Sequence, residues 1–284
     1  MKTTNKLFLE TKDFSVSGKP FELYFNHESD MLITSPRPTQ DQIPSFYNSK
    51  QYVSHITKKR NLLDWVYFFV RKHTLQSKLR LISSFSVGHK TLLDFGSGSG
   101  FFVRATSSAG WKSIGIEPSK DARQAANTIL KNSIFNNSYI DNIKPNTFSV
   151  ITLWHVLEHL PSLESHITKF KQLLSEDGRL VVAVPNYKSH DAHYFREYWA
   201  AYDVPRHLWH FSQDSISRLF SEFGFELEAI HPMRFDAYYV ALLSTKYKYG
   251  KIKPLKALWS GFLSNYKAKQ TGEYSSLIYV LKHK

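Results

Sequence analysis

A short apolar run, Leu92-Leu93, meets an acid at Asp94, and glycines then follow at alternate positions, Gly96, Gly98 and Gly100. A buried strand running into a tight turn has this form. Glycine is required where a Cβ would block a ligand or forbid the backbone angles. The stretch constrains the fold to a sheet whose strand ends approach a bound molecule, the arrangement of nucleotide-type cofactor sites on α/β sheets.

The rest of the chain must supply that sheet. With 284 residues and 42% hydrophobic content it can bury a sizeable core. It has no cysteine, which excludes disulfides, thiolate metal sites and a cysteine nucleophile. The N-terminus is polar and lacks an apolar leader pattern, and the most apolar window, Leu62 to Val70, is far short of the roughly 20 residues of a membrane span. A cytoplasmic protein without a membrane span is the expectation. The net charge of +13 is uneven: +7 over 1–90, +1 over 91–185, −3 over 186–240 and +8 over 241–284. The basic ends read either as solvated lysine or as a surface for a polyanion such as RNA or an anionic membrane.

Three regions are expected. Residues 1–47 read as a hairpin region, with Phe21–Phe25 and Met31–Thr34 pairing across 26–30 and stopped by Pro36 and Pro38. Residues 48–87 form a helical lid or extension. Its periodicity predicts a helix from about Ser49 to Ser84, with Leu62, Val66, Phe69 and Val70 on one face that could cover the main domain or join a homodimer. Over 88–284 strand and helix alternate, which predicts a mostly parallel sheet covered on both faces. The strands fall at Thr91–Phe95, Ser113–Glu117, Ser138–Ile140, Phe148–Trp154, Arg179–Val184, Phe225–Ile230 and Ser276–Leu281. Helices are expected at Phe101–Ala109, from Ser119 to Lys131, from Pro161 to Leu174 with Asp177-Gly178 ending it, and at Gln213–Phe223.

The second strand also ends in an acid, Glu117, which can accept hydrogen bonds from both hydroxyls of a ribose. A dinucleotide site wants G-x-G-x-x-G and a pyrophosphate at the helix start. The spacing here is G-x-G-x-G behind an aspartate, and an acid at that point repels phosphate. It suits a cationic, phosphate-free ligand such as S-adenosylmethionine (SAM).

On these residues the chain resembles the class I SAM-dependent methyltransferases over about 88–284. Asp94-Phe95-Gly96-Ser97-Gly98-Ser99-Gly100 matches the family's first motif, and Ile114-Gly115-Ile116-Glu117-Pro118 its second-strand acid. Asp141-Asn142 resembles the adenine-holding position. Trp154-His155-Val156-Leu157-Glu158-His159-Leu160-Pro161 is similar to the fourth-strand segment of a bacterial branch found in surface-polysaccharide and small-molecule pathways. The resemblance implies a Rossmann-like seven-stranded sheet with its last strand antiparallel. It also implies a SAM site built from Asp94, Gly96, Ser97, Gly98, Gly100, Glu117, Pro118, Asp141, Asn142 and Trp154.

Methyl transfer from a sulfonium needs a positioned acceptor and, for a hydroxyl or ammonium, a base. His155 and His159 follow the fourth strand and are candidate bases. Arg206 and His207, in Asp203-Val204-Pro205-Arg206-His207, follow the fifth strand where relatives hold the acceptor. The alternative is a linker in which Arg206 pairs with Asp203. His155-x-x-Glu158-His159 also fits a zinc-peptidase signature, but it follows a strand and meets Pro161 two residues on. Some relatives hold Mg²⁺ through an acid at position 155, where histidine is a poor ligand, so no metal is expected. Relatives often begin with a zinc ribbon, and residues 21–38 resemble that unit without its cysteines, with His27, Glu28 and Asp30 remaining. The resemblance implies a small-molecule or glycan-precursor acceptor. RNA modification and non-catalytic SAM binding are the alternatives.

Overall fold

The computed structural model describes residues 5–39, 41–46, 62–85 and 87–284. The chain divides into two compact units. One comprises 1–48, 157–163 and 183–279; the other comprises 49–156, 164–182 and 280–284.

The seven-stranded sheet begins at β4 (Thr91–Phe95), the strand that carries Asp94. Helix α2 (Phe101–Ser108) and strand β5 (Lys112–Ile116) follow, and β5 pairs parallel to β4. Ser119 caps α3 (Lys120–Leu130) by accepting the Ala122 amide. The edge strand β6 is only Ile134–Phe135. Strand β7 (Phe148–Trp154) pairs parallel to the other side of β4. Six of its seven residues are buried, as a strand covered on both faces requires. Helix α4 (Leu163–Leu173) leads into β8 (Leu174–Pro185), and β10 (Phe225–Pro232) and β11 (Ser276–His283) complete the order β10-β11-β8-β7-β4-β5-β6. The mixed, mostly parallel seven-stranded sheet is as expected. The chain winds outward from β4 in both directions, which makes the β4–β7 boundary the switch point where α/β sheets bind ligands.

Two local expectations fail. The third strand lies at Ile134–Phe135, while 138–140 belong to a 3₁₀ turn, Asn137–Asn142. The Asn127 side chain fixes this register by bonding both backbone groups of Ile134, at 2.8 and 3.0 Å. Helix α4 stops at Leu173, and Asp177-Gly178 lie inside β8 rather than ending the helix. Helices α7 (Asp236–Tyr249) and α8 (Pro254–Thr271) were not expected from the sequence. Helix α1 spans Leu62–Ser83; its expected first part, 49–61, and the side chains of Leu62, Val66 and Phe69 lie outside the described residues.

The N-terminal hairpin is present as β2 (Pro20–Asn26) and β3 (Met31–Ser35). It sits in a four-stranded antiparallel sheet with β1 (Lys6–Lys12) and β9 (Trp209–His210), in the order β1-β2-β3-β9. Phe21, Leu23 and Leu32 from this sheet share a core with Phe195, Trp199 and Tyr202. Helices α5 (His190–Phe195) and α6 (Gln213–Glu222) belong to the same unit.

Candidate active site

Strand β4 carries Asp94 into the interior, where it is 2% exposed. The Thr152 hydroxyl, level with it on β7, donates to its carboxylate at 2.7 Å. Burial pushes the Asp94 pKa up to about 7; Thr152 and the charge of Lys78 oppose the rise, and Glu117 adds to it. A cation placed beside such an acid draws it into the carboxylate form.

Beyond Asp94 the chain turns through Gly96, Gly98 and Gly100, all left-handed at φ +77°, +52° and +70°. A Cβ at Gly96 would strike the Val156 side chain, and one at Gly100 would strike Leu130. On β5, a Cβ at Gly115 would come within 2.5 Å of Ser97 Oγ. Glu117 closes the turn: its two carboxylate oxygens accept the amides of Gly98 at 2.8 Å and Ser119 at 2.9 Å. Burial raises the Glu117 pKa, and those amides together with Arg123 act against the rise. Arg123 donates to the carbonyls of Glu117 and Pro118, both at 2.7 Å, and so fixes the end of β5.

Trp154 forms a wall of the same unit. Its ring meets Phe102 edge-on at 5.4 Å, and the Lys78 ammonium lies 4.1 Å over it. Ser97 Oγ and Trp154 Nε1 are buried with no hydrogen-bond partner among the described residues. Two buried acids, a turn without side chains and two unmatched polar atoms fit a cationic ligand carrying hydroxyls. Asp141 and Asn142 lie on the exposed 3₁₀ turn Asn137–Asn142, where Asp141 pairs with Lys169 at 3.7 Å.

His155 is half-buried and left-handed at φ +56°, a conformation rare outside glycine. Glu158, His159 and His207 come together in the other unit, with one ligand atom of each within 4.8 Å of the others. His159 Nδ1 lies 2.9 Å from the Arg206 carbonyl and His207 Nδ1 2.9 Å from the Ala201 carbonyl. A carbonyl can only accept, so each Nδ1 donates a proton, which leaves Nε2 as the ring atom able to serve as a ligand. The rings meet edge-on at 4.6 Å. Burial pushes the His207 pKa down to about 4, with the neighbouring His159 adding to the fall and Glu158 opposing it. Two Nε2 atoms and a buried carboxylate constitute a donor set that can take a divalent cation. Sequence reasoning expected no metal here.

Arg206 is 8% exposed in its side chain and held on every side. It donates to both oxygens of Asp203 at 2.9 and 2.7 Å, to Asp13 at 3.0 Å and to the Phe46 carbonyl at 2.8 Å. The linker alternative anticipated its pairing with Asp203. Asp13 was missed: its role depends on the turn it organises, in which the amides of Ser15, Val16 and Ser17 donate to it. Lys78, Thr152 and Val156 were missed as well, because only the folded registers bring them to Asp94 and the glycines.

A model of the methyltransferase domain matches residues 67–230. An uncharacterized methyltransferase of Bacillus thuringiensis is 32% identical over 112 residues, covering 38% of this chain and 52% of that protein. One from Bacillus cereus is 31% identical over 106 residues, covering 36% and 50%. The chain therefore spans about half the length of the curated relatives it matches. Among solved structures, magnesium protoporphyrin IX methyltransferase of Synechocystis with bound SAH superposes at TM-score 0.56 and 13% identity, over 87% of this chain and all of that one. A SAM-dependent methyltransferase of Archaeoglobus fulgidus superposes at TM-score 0.50 and 15% identity, over 77% of this chain and all of that one. These likenesses show the fold, and the domain match over more than half of the residues shows the family: the chain belongs to the SAM-dependent methyltransferases.

Proposed function

We propose that this chain methylates an oxygen or nitrogen of a small-molecule or glycan-type acceptor. The observation that carries the donor side is the buried acid pair, Asp94 and Glu117, around a turn with no Cβ at Gly96, Gly98 and Gly100. Such a turn repels pyrophosphate and favours a sulfonium or ammonium. When bound, SAM supplies a methyl group on an excellent leaving group. Glu117 already accepts two amides, and its remaining lone pairs suit ribose hydroxyls. Ser97 Oγ and Trp154 Nε1 are available to further polar atoms of the ligand.

For the acceptor, His155 and His159 are the proposed proton acceptors. His207, with its pKa at about 4, stays neutral and orients rather than holds a proton. Arg206 is proposed as the brace that carries His207 and the carbonyl bonded to His159. A second reading rests on the Glu158, His159 and His207 donor set: a divalent cation there would lower the acceptor's pKa in place of a base.

Titration with SAM by calorimetry, followed by a metabolite screen for SAM-dependent gain of one methyl, tests the proposal. Saturable SAM binding that Glu117→Ala weakens at least tenfold supports the donor site, and tighter binding of a dinucleotide than of SAM overturns it. Turnover that EDTA abolishes and Mg²⁺ or Zn²⁺ restores selects the metal reading. Turnover indifferent to chelator but lost in His159→Ala selects the base.

A further inference from the structure

Helix α8 is built inside out. The residues it buries are small: Ala257, Ser260, Gly261, Ser264 and Ala268. Those it exposes are large and apolar: Leu255 at 83%, Leu258 at 56%, Trp259 at 65%, Phe262 at 50% and Tyr266 at 55%. At 100° per residue these five fall within an arc of about 100°, running along about 16 Å of helix. The buried set lies on the opposite side. Its small residues have a structural cause in the approach to α7, since a Cβ on Gly261 would sit 2.6 Å from the Tyr238 ring. Ser264 Oγ anchors the same face on the buried Asp191 carboxylate at 2.7 Å. Nothing in that packing explains the outer stripe. The rings of Trp259, Phe262 and Tyr266 stack in series at 5.8 and 6.2 Å, forming one continuous apolar surface.

The charges around the stripe identify what covers it. Residues 241–284 carry a net +8, with Glu273 their only acid. Lys256 and Lys267 lie along one side of the stripe, and Lys269 stands at its C-terminal end. Apposing two copies of such a face would bring like charges together. A single-stranded nucleic acid stacks on rings but gains little from Leu255 and Leu258. A bilayer with anionic headgroups meets both demands: its acyl region takes Leu, Trp and Phe, and its surface takes the lysines. No described helix is long and apolar enough to cross a membrane, so the contact is peripheral. We propose that the outer face of α8, Leu255–Leu258–Trp259–Phe262–Tyr266, docks in the plane of an anionic lipid surface.

The full chain is sedimented with vesicles of phosphatidylcholine containing phosphatidylglycerol and with pure phosphatidylcholine vesicles. The expected result is binding to the anionic vesicles at least tenfold tighter than to the neutral ones, falling with added salt. Replacing Leu258, Trp259 and Phe262 together by Ser should weaken it a further tenfold or more, with thermal unfolding and SAM affinity unchanged because all three side chains point outward. Neutralising Lys256, Lys267 and Lys269 by Gln should reduce the preference for anionic vesicles and the salt dependence while leaving the apolar contribution. Retained vesicle binding in the triple Ser variant overturns the proposal. So does a wild-type dimer in sedimentation equilibrium that the triple Ser variant converts to monomer, because the face would then be a self-association surface. Binding of an RNA oligomer that the Ser variant loses, without vesicle binding, also overturns it.

Discussion

At the scale of single residues, buried acids with opposite shifts set the pH response. Asp94 rises from the ordinary 3.8 to about 7, chiefly through burial. Below about pH 4 both folded and unfolded chains hold its proton and it costs nothing. Between about 4 and about 7 the unfolded chain ionises first, so stability falls as pH rises, and above about 7 the full cost is present. Asp94→Asn removes that loss. Urea unfolding at pH 8 should find the variant more stable than wild type by up to about 4 kcal/mol, with the gain vanishing near pH 4. SAM affinity should fall at least tenfold; an unchanged pH slope would mean that Asp94 is ionised throughout. Asp203 and Asp13 shift the other way: burial alone would raise both, but for Asp203 Arg206 outweighs it, and for Asp13 the hydrogen bonds from Ser17, followed by Arg206, do so. Their stabilising contribution is present above the ordinary 3.8 and lost as pH falls below it. Arg206→Ala should cost about 3–5 kcal/mol by removing the counter-charge of Asp203 and Asp13. Arg206→Lys should recover only part, since one ammonium cannot reproduce a fork that meets two acids and a carbonyl. A variant of unchanged stability that has lost turnover would return Arg206 to the acceptor.

Elements, rather than residues, decide what could be read from sequence. The β4 turn, β5, α3 and β7 were legible because their information is local: apolar runs for strands, Ser119 for a cap, glycines for a turn that a side chain would block. The strand at 134–135 was misplaced because its register comes from the Asn127 side chain, seven residues away. Helix α8 went unread because periodicity places the apolar face inward, whereas α8 turns its apolar face out. In the site, the acids and glycines were legible, while Lys78 and Asp13 were not, since each acts on a residue distant in sequence. Helix α1 shows the consequence. Arg71 lies 4.3 Å over the Phe101 ring and Lys78 4.1 Å over Trp154, so two cation–π contacts tie it to the elements around the glycine turn. Replacing both by Met should cost about 1–3 kcal/mol. Amide exchange over 70–83 should speed up, while exchange in β4 and β7 stays slow. Equal acceleration in all three would mean that α1 is integral to the sheet's stability.

For the whole molecule, the path of the chain matters more than its length. Among the described residues it passes between the two compact units at 156/157, 163/164, 182/183 and 279/280. Two of these crossings fall inside strands, β8 (Leu174–Pro185) and β11 (Ser276–His283). A strand cannot keep its ladder at one end while the other end is unfolded without freeing backbone groups in its own middle. Neither unit is a contiguous segment, so neither has the linker boundary at which domains separate. Calorimetry should therefore find one unfolding transition, with van't Hoff and calorimetric enthalpies in agreement. SAM should raise the midpoint of that single transition by an amount that grows with the logarithm of its concentration. Phe170→Ala, which empties a fully buried position of one unit beside Phe95, should cost about 3–5 kcal/mol and shift the same transition. Phe195→Ala, equally buried in the other unit, should do the same. Two resolved transitions, with each substitution moving only one of them, would show that the crossings do not couple the units.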